Sequence, residues 1–233
     1  MAGRIAYYGN IVRDGLVLNL DAAKQDSYPG SGTVWRDIAE GVITGSLING
    51  PTFNPSNFGS IVFDGIDDYV TLGNINLIQN DFTLNIWFTL NTTSSKEHFI
   101  FSNNYATAPS LLITADSSIS GILLSAYYST AGGVIQYGLN STTLANSQIY
   151  NLTLIRSGSV NTPYINGSIQ TSRIFTESTV LGLGRYELGW ATIRNKTTAY
   201  MQGNIYSTQI YNRALSAAEV LQNYNATKGR YGL

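Results

Sequence analysis

Hydrophobic and polar residues alternate with a period of two through much of this chain. The longest clean stretch is Phe82-Thr-Leu-Asn-Ile-Trp-Phe-Thr-Leu90. Phe82, Leu84, Ile86, Phe88 and Leu90 fall on one side of an extended backbone, and Thr83, Asn85, Trp87 and Thr89 on the other. A helix would mix the two sets, so the stretch predicts a β-strand with one face in a core. Similar runs predict strands over 16–20, 60–63, 69–72, 99–102, 110–114, 122–128, 134–139, 148–156, 162–165, 168–173, 180–183 and 203–211. Turn chemistry separates them. Asn166-Gly167 is a two-residue hairpin signal, because both positions of such a turn need positive φ. Ser157-Gly158-Ser159 and Ala131-Gly132-Gly133 punctuate in the same way. Many short strands at regular spacing read as a sandwich or a barrel.

One segment departs from the period of two. Ser216-Ala-Ala-Glu219 is a capping box, in which the serine accepts the N–H of Glu219 and the glutamate reaches back. Leu215 and Val220 are spaced for a hydrophobic staple, and Leu221 and Tyr224 continue an apolar face. Gly229 supplies a stop, with Lys228 and Arg230 placed to complement the helix dipole. A short C-terminal helix is therefore predicted, packed on the sandwich or on a neighbouring subunit. Trp87 is expected to be packed rather than exposed, as most large aromatics in a sandwich are.

Composition narrows the functional classes. Charged residues make up 12% of the 233 positions, well below the roughly 25% of an average soluble domain, while Tyr alone occurs 16 times. Hydrophobic content of 43% is enough to build a core and excludes a disordered chain. The 13 basic residues are scattered and the formal charge is −1, so no electrostatic footprint for nucleic acid is present. There is no cysteine, hence neither a disulfide nor thiolate chemistry. No apolar run of secretory or membrane-spanning character is found, so neither a signal peptide nor membrane insertion is expected. Six Asn-x-Ser/Thr sequons, at Asn91, Asn140, Asn151, Asn166, Asn195 and Asn225, reflect an Asn/Ser/Thr-rich chain rather than glycosylation.

Several segments resemble a known family. Gly59-Ser-Ile-Val-Phe-Asp-Gly-Ile-Asp-Asp-Tyr-Val-Thr-Leu72 resembles the F-D-G-x-D-D-Y-V segment of laminin-G-like, concanavalin A-like lectin/glucanase domains. Phe82–Leu90 is similar to their F-T-I-x-x-W strand, and Tyr164-Ile-Asn-Gly167 to their Y-x-N-G hairpin. Gly203-Asn-Ile-Tyr, Ile210-Tyr-Asn-Arg-Ala-Leu-Ser216 and Glu219 resemble the closing strand and helix. The four appear in family order over roughly residues 15–224. The resemblance implies an all-β, two-sheet antiparallel jelly-roll sandwich with one short C-terminal helix. It implies one domain over residues 15–233, preceded by an N-terminal arm over 1–14.

A narrower resemblance concerns the ends. Gly15-Leu-Val-Leu-Asn-Leu-Asp-Ala-Ala23, Ser27-Tyr-Pro-Gly-Ser-Gly-Thr-Val-Trp35 and Gln222-Asn-Tyr-Asn-Ala-Thr-Lys-Gly-Arg-Tyr-Gly-Leu233 look like lectin-like structural proteins of tailed bacteriophages. That likeness implies a virion-surface protein made in the host cytoplasm, with other virion proteins or further copies of itself as partners and host glycans as ligands. Ile5, Tyr7, Tyr8 and Ile11 of the arm and Tyr231 of the tail are the expected docking side chains. The alternative is a soluble, calcium-dependent carbohydrate-binding lectin module.

Catalysis is not expected. A glycosidase needs two carboxyls roughly 5–9.5 Å apart, and none of Glu40, Glu97, Glu177, Glu187 and Glu219 has an acidic partner at strand-face spacing. His98, the single histidine, has no orienting acid fixed by sequence and is expected at a strand start or the surface. Asp64, Asp67 and Asp68 on a Gly-containing turn have two readings: a Ca2+ site, as laminin-G relatives often hold at a rim, or Asx-type turn bonds to backbone N–H groups. The turn reading is favoured. No cofactor is required, and Ca2+ is the one that would fit. Tyr186 and Trp190, in the Gly-rich stretch 182–190, are the loop aromatics expected to stack on a sugar ring.

Overall fold

A computed structural model describes residues 11–75, 81–91, 96–103, 110–118, 121–130, 133–177, 181, 184–191 and 199–233. In chain order the strands begin with β1 (Leu16–Asp21), β2 (Val34–Arg36), β3 (Thr44–Ile48), β4 (Thr52–Asn54), β5 (Ser60–Asp64) and β6 (Tyr69–Ile75). They continue with β7 (Phe82–Leu90), β8 (Lys96–Asn103), β9 (Ser110–Ser118), β10 (Gly121–Thr130), β11 (Gly133–Gly138) and β12 (Tyr150–Ser157). The last are β13 (Val160–Ile165), β14 (Ser168–Ile169), β15 (Phe175–Thr176), β16 (Gly184–Leu188) and β17 (Gln202–Tyr211), before helix α1 (Ala217–Lys228).

Two sheets result, so the fold is a sandwich and not a barrel. The nine-stranded sheet A runs β14-β13-β12-β7-β17-β5-β4, with β1 also on β17 and β15 on β13. The eight-stranded sheet B runs β11-β10-β9-β8-β16-β6-β3-β2. Their inner faces meet in one core, where Leu18, Leu84, Ile86 and Leu152 of sheet A share a cluster with Phe101, Ile113, Leu124 and Leu188 of sheet B. The period of two in the sequence is the cause, because each strand offers alternate side chains to this core.

Alternation predicts one buried side for β7, yet all nine of its residues are buried. The second side is roofed by the C-terminal end of the chain. Trp87 stacks on Tyr224 of α1 at 5.6 Å and 6°, and its ring lies 4.5 Å from that of Tyr231. Burial of the polar positions is possible because they satisfy one another. Asn85 Nδ2 donates to Gln209 Oε1 at 2.8 Å, and Thr153 Oγ1 donates to Asn85 Oδ1 at 3.0 Å. Thr83 Oγ1 donates to the Arg213 carbonyl and accepts from Leu215 N, both at 2.9 Å.

The capping box forms as predicted, with Ser216 accepting from Glu219 N. Arg213 Nη1 also grips the Glu219 carboxylate at 3.1 Å, and this holds its pKa down at about 2. Leu215 and Val220 join a second apolar cluster with Val12, Ile155, Tyr164 and Tyr211. The helix face differs from expectation, because Leu221 is exposed and the buried positions are Val220, Asn223 and Thr227. Asn223 earns its burial by bonding: its Oδ1 accepts from Val12 N at 2.8 Å and its Nδ2 donates to Tyr211 OH at 2.9 Å. Burial pushes the Tyr211 phenol up to about 12. Gly229 does not end the helix in a left-handed conformation. It continues right-handed at φ −60 into a 3-10 turn over Gly229–Tyr231, and Gly232 takes φ 71 instead.

Other expectations are corrected. The run over 168–173 yields only the two residues of β14, then a 3-10 turn over Thr171–Arg173. Most of the run over 180–183 lies outside the described residues. The short strands β2, β3, β4, β15 and β16 were not foreseen. His98 lies near the start of β8, one of its two expected places, but is fully buried and not at the surface, with Nδ1 accepting from Gln202 N at 3.2 Å. Burial lowers its pKa to about 4. Asn140 and Asn151, two of the six sequon asparagines, are buried and hydrogen-bonded, so neither is placed to accept a glycan.

Candidate ligand-binding site

Asp64, Asp67 and Asp68 do come together, with one carboxylate oxygen from each within 4.8 Å of the others. The β5–β6 turn that carries them is held from within. Asp64 Oδ1 accepts from Ile66 N at 2.7 Å, and Asp68 Oδ2 accepts from Asp64 N at 3.0 Å. Lys96 Nζ donates to the Gly65 carbonyl at 2.6 Å, and Asn49 Nδ2 to the Asp67 carbonyl at 3.0 Å. Burial raises the Asp68 carboxyl above the ordinary range; the Asp64 N–H opposes this, and the charges of Asp64 and Asp67 add to it. Calcium takes roughly six to eight oxygens, and several that this turn offers are already engaged by backbone N–H groups and an ammonium.

The aromatic candidates separate. Tyr186 is not in a loop: it is an inward position of β16, fully buried, with its ring 5.9 Å from Phe101. The alternation Arg185, Tyr186, Glu187, Leu188 explains this, and the outward Glu187 pairs with Arg185 Nε at 3.1 Å. Trp190 does follow the strand, partly exposed. It packs against the Phe99, Leu112, Ala191 and Ala199 cluster, and Tyr200 stacks on it at 5.4 Å and 6°. Tyr200 thus covers one face of its ring, and the indole stays partly exposed.

The docking candidates separate too. Ile5, Tyr7 and Tyr8 lie outside the described residues, while Ile11 is partly exposed beside the buried Val12. Tyr231 is engaged intramolecularly, packed on Trp87 and set edge-on to Tyr206 at 5.1 Å and 64°. The tail that carries it is latched by Arg230, whose Nη1 and Nη2 meet the Asp21 carboxylate at 2.8 and 3.1 Å in a buried pair.

That tail walls a cavity of about 310 Å3 on the outer side of sheet A. Its floor is Thr89 at the end of β7 with Asn204 and Tyr206 of β17; its sides are Asn54, Asn57, Asn91, Ser147, Gln148, Ile149, Tyr231 and Leu233. A β-bulge aims Tyr206 here. Ile205 pairs with Phe88 and Ser207 with Trp87, so Tyr206 is the extra residue, and such bulges re-aim side chains beside functional sites. Its hydroxyl meets Thr89 Oγ1 at 3.2 Å. Asn91 Nδ2 donates to Asn204 Oδ1 at 2.8 Å, and Asn204 Nδ2 donates to Ser60 Oγ at 2.9 Å, which fixes the floor amides. Gly203 is required beside them, because a Cβ there would collide with the Thr89 carbonyl oxygen. Asn57 and Ser147, both in the lining, hold left-handed φ values of 53 and 60. Left-handed backbone at a non-glycine residue costs about 1–3 kcal/mol and gathers at ligand clamps.

The sequence offered no signal for this cavity beyond its wealth of Asn and Tyr, since its residues come from segments far apart in the chain. A family model described as the concanavalin A-like lectin/glucanases superfamily, of laminin-G type, matches residues 64–221. The chain belongs to this superfamily. No curated protein matches it in sequence. Among solved structures, this superfamily member is similar to the sialidase of Trypanosoma rangeli in complex with sialic acid, with a TM-score of 0.67 at 14% identity. The match covers 92% of this chain but 33% of the sialidase, so the chain spans about a third of that protein. It is similar to domain 4 of AbnA, an extracellular GH43 arabinanase from Geobacillus stearothermophilus in complex with arabinotriose, with a TM-score of 0.65 at 14% identity. There the match covers 90% of this chain and 98% of that domain. The botulinum neurotoxin serotype D binding domain gives a TM-score of 0.69 at 12% identity, over 92% of this chain and 52% of the other. Identities this low show the shared fold alone.

Proposed function

We propose that this chain is a non-enzymatic, lectin-like surface domain of a bacteriophage particle that binds host carbohydrate in the cavity beside Tyr206. The cavity carries the reading: amide side chains converge with two tyrosines on a site fixed by its own hydrogen bonds. Amides and tyrosines suit a ligand rich in hydroxyls with apolar C–H faces. Superfamily membership supports it, as does the arabinotriose held by the arabinanase domain of like fold. Absence of catalysis is proposed because a glycosidase needs a carboxyl pair, and the cavity lining includes no Asp or Glu. The virion assignment rests on the likeness of residues 15–23, 27–35 and 222–233 to phage structural proteins, and it makes other virion proteins or further copies of the chain the partners.

Calorimetric titration of the purified protein against a panel of oligosaccharides tests the binding. Millimolar or tighter affinity for at least one sugar, weakened by Gln148→Ala, is expected; a panel without binding overturns it. Antibody against the chain should label intact phage particles, and unlabelled particles sink the virion assignment. The Asp64–Asp68 turn is proposed to stand without an ion, so a chelator should leave sugar binding unchanged. Loss of binding in chelator would favour the calcium-dependent lectin instead.

A further inference from the structure

We infer that the cavity beside Tyr206 selects an uncharged sugar residue and rejects acidic sugars such as uronic and sialic acids; this rests on the carbohydrate reading and narrows it. The lining contains no Asp, Glu, Lys, Arg or His side chain. An acidic sugar would bring a carboxylate into a partly desolvated site without a cation to meet it, and a buried charge is costly unless paired. The tail does carry a cation, Arg230, but its guanidinium is turned onto Asp21 in a buried pair.

What the cavity offers instead matches hydroxyl groups. Asn91 spends Nδ2 on Asn204, which leaves its Oδ1 as an acceptor. Asn54 spends Oδ1 on Ser56 N at 2.9 Å, which leaves its Nδ2 as a donor. The exposed Gln148 side chain provides both. A sugar hydroxyl also donates and accepts, so neighbouring hydroxyls can satisfy an acceptor and a donor with no net charge on either side. The partly exposed Tyr231 supplies ring carbon for a C–H face. With about 310 Å3, the cavity is at the small end of ligand sites, which suits a mono- or disaccharide unit.

Matched pairs of sugars test this directly. Galactose and galacturonic acid, and glucose and glucuronic acid, each differ by a carboxylate in place of a primary alcohol, and all are titrated against the whole chain. The neutral member of at least one pair should bind roughly tenfold or more tighter than its acidic partner. Its affinity should change little with salt, because no ion pair is formed. Gln148→Lys, a surface change outside the bonded floor, should raise affinity for the acidic member and narrow that gap. An acidic member that binds as tightly as its neutral partner, with binding still weakened by Gln148→Ala, overturns the selectivity while leaving the site in place. Binding that Gln148→Ala does not touch, or none at all, removes the site and the selectivity with it.

Discussion

The outer faces of the two sheets start from the same alternating pattern and end differently. On sheet A the outward residues are mostly neutral and polar, and the chain's own end covers them. Asn85, Gln209, Asn151 and Thr153 are buried beneath that cover, Trp87 lies under Tyr224 and Tyr231, and the open corner is the cavity, whose lining side chains are uncharged. Sheet B is covered only in part. Phe99 and Leu112 lie under Trp190, Ala191 and Ala199, the Arg185–Glu187 ion pair sits nearby, and Leu123, Val134 and Ile135 towards the β11 edge stay exposed. A sheet face becomes a site where a roof stops short of an edge. The chemistry of that site is then set by which polar residues the roof leaves uncovered.

The most forceful way to break this contrast is to lift the roof from sheet A. Trp87→Ala should cost about 3–5 kcal/mol, the usual cost of emptying a buried aromatic position, and chemical denaturation would read it. Arg230→Met should cost about 3 kcal/mol, because it strands the buried Asp21 carboxylate. It should also weaken sugar binding by freeing the wall that carries Tyr231, so a variant that is destabilised but binds normally would detach the latch from the site. Ser216→Ala removes the helix cap and should cost about 1 kcal/mol. Gln148→Ala should move stability by less than about 0.5 kcal/mol, as expected for an exposed side chain, while still lowering affinity.

Acid should act on the two sheets in different windows. On sheet B the folded pKa of His98 is depressed to about 4 by burial, so the unfolded chain binds the proton more readily. Stability linked to His98 is therefore present above its unfolded pKa of about 6.5 and is lost as pH falls from there towards 4. His98→Asn, which keeps an acceptor for Gln202 N, should flatten that part of the curve. On the sheet A side, Glu219 is held at about 2 by Arg213 and the cap, so its contribution is lost lower, as pH falls through its unfolded value towards 2. Melting temperatures measured from pH 7 to pH 2 on the unaltered chain and on His98→Asn would separate the two.

Much of the sandwich was legible. The nine alternating residues of β7, the Asn166-Gly167 hairpin and the Ser216–Glu219 capping box are local codes, and each forms as read. Tyr186 was misplaced because the glycines around it suggested a loop, whereas its alternation with Arg185, Glu187 and Leu188 was the truer signal. His98 was expected at a strand start or the surface; it does lie near the start of β8, but its full burial depends on partners such as the Gln202 N–H, brought across from β17.

By itself, then, the sequence determined most of the longer strands, the helix cap and the superfamily, since periodicity, turn residues and capping act between neighbours a few positions apart. Tertiary structure alone decided what lies on the outside of each sheet. Tyr206, Gln148, Asn57 and Tyr231 are far apart in the chain, and their meeting depends on a bulge in β17, an Arg230–Asp21 latch and two left-handed residues. Such convergence is a product of long-range packing, which no local period encodes.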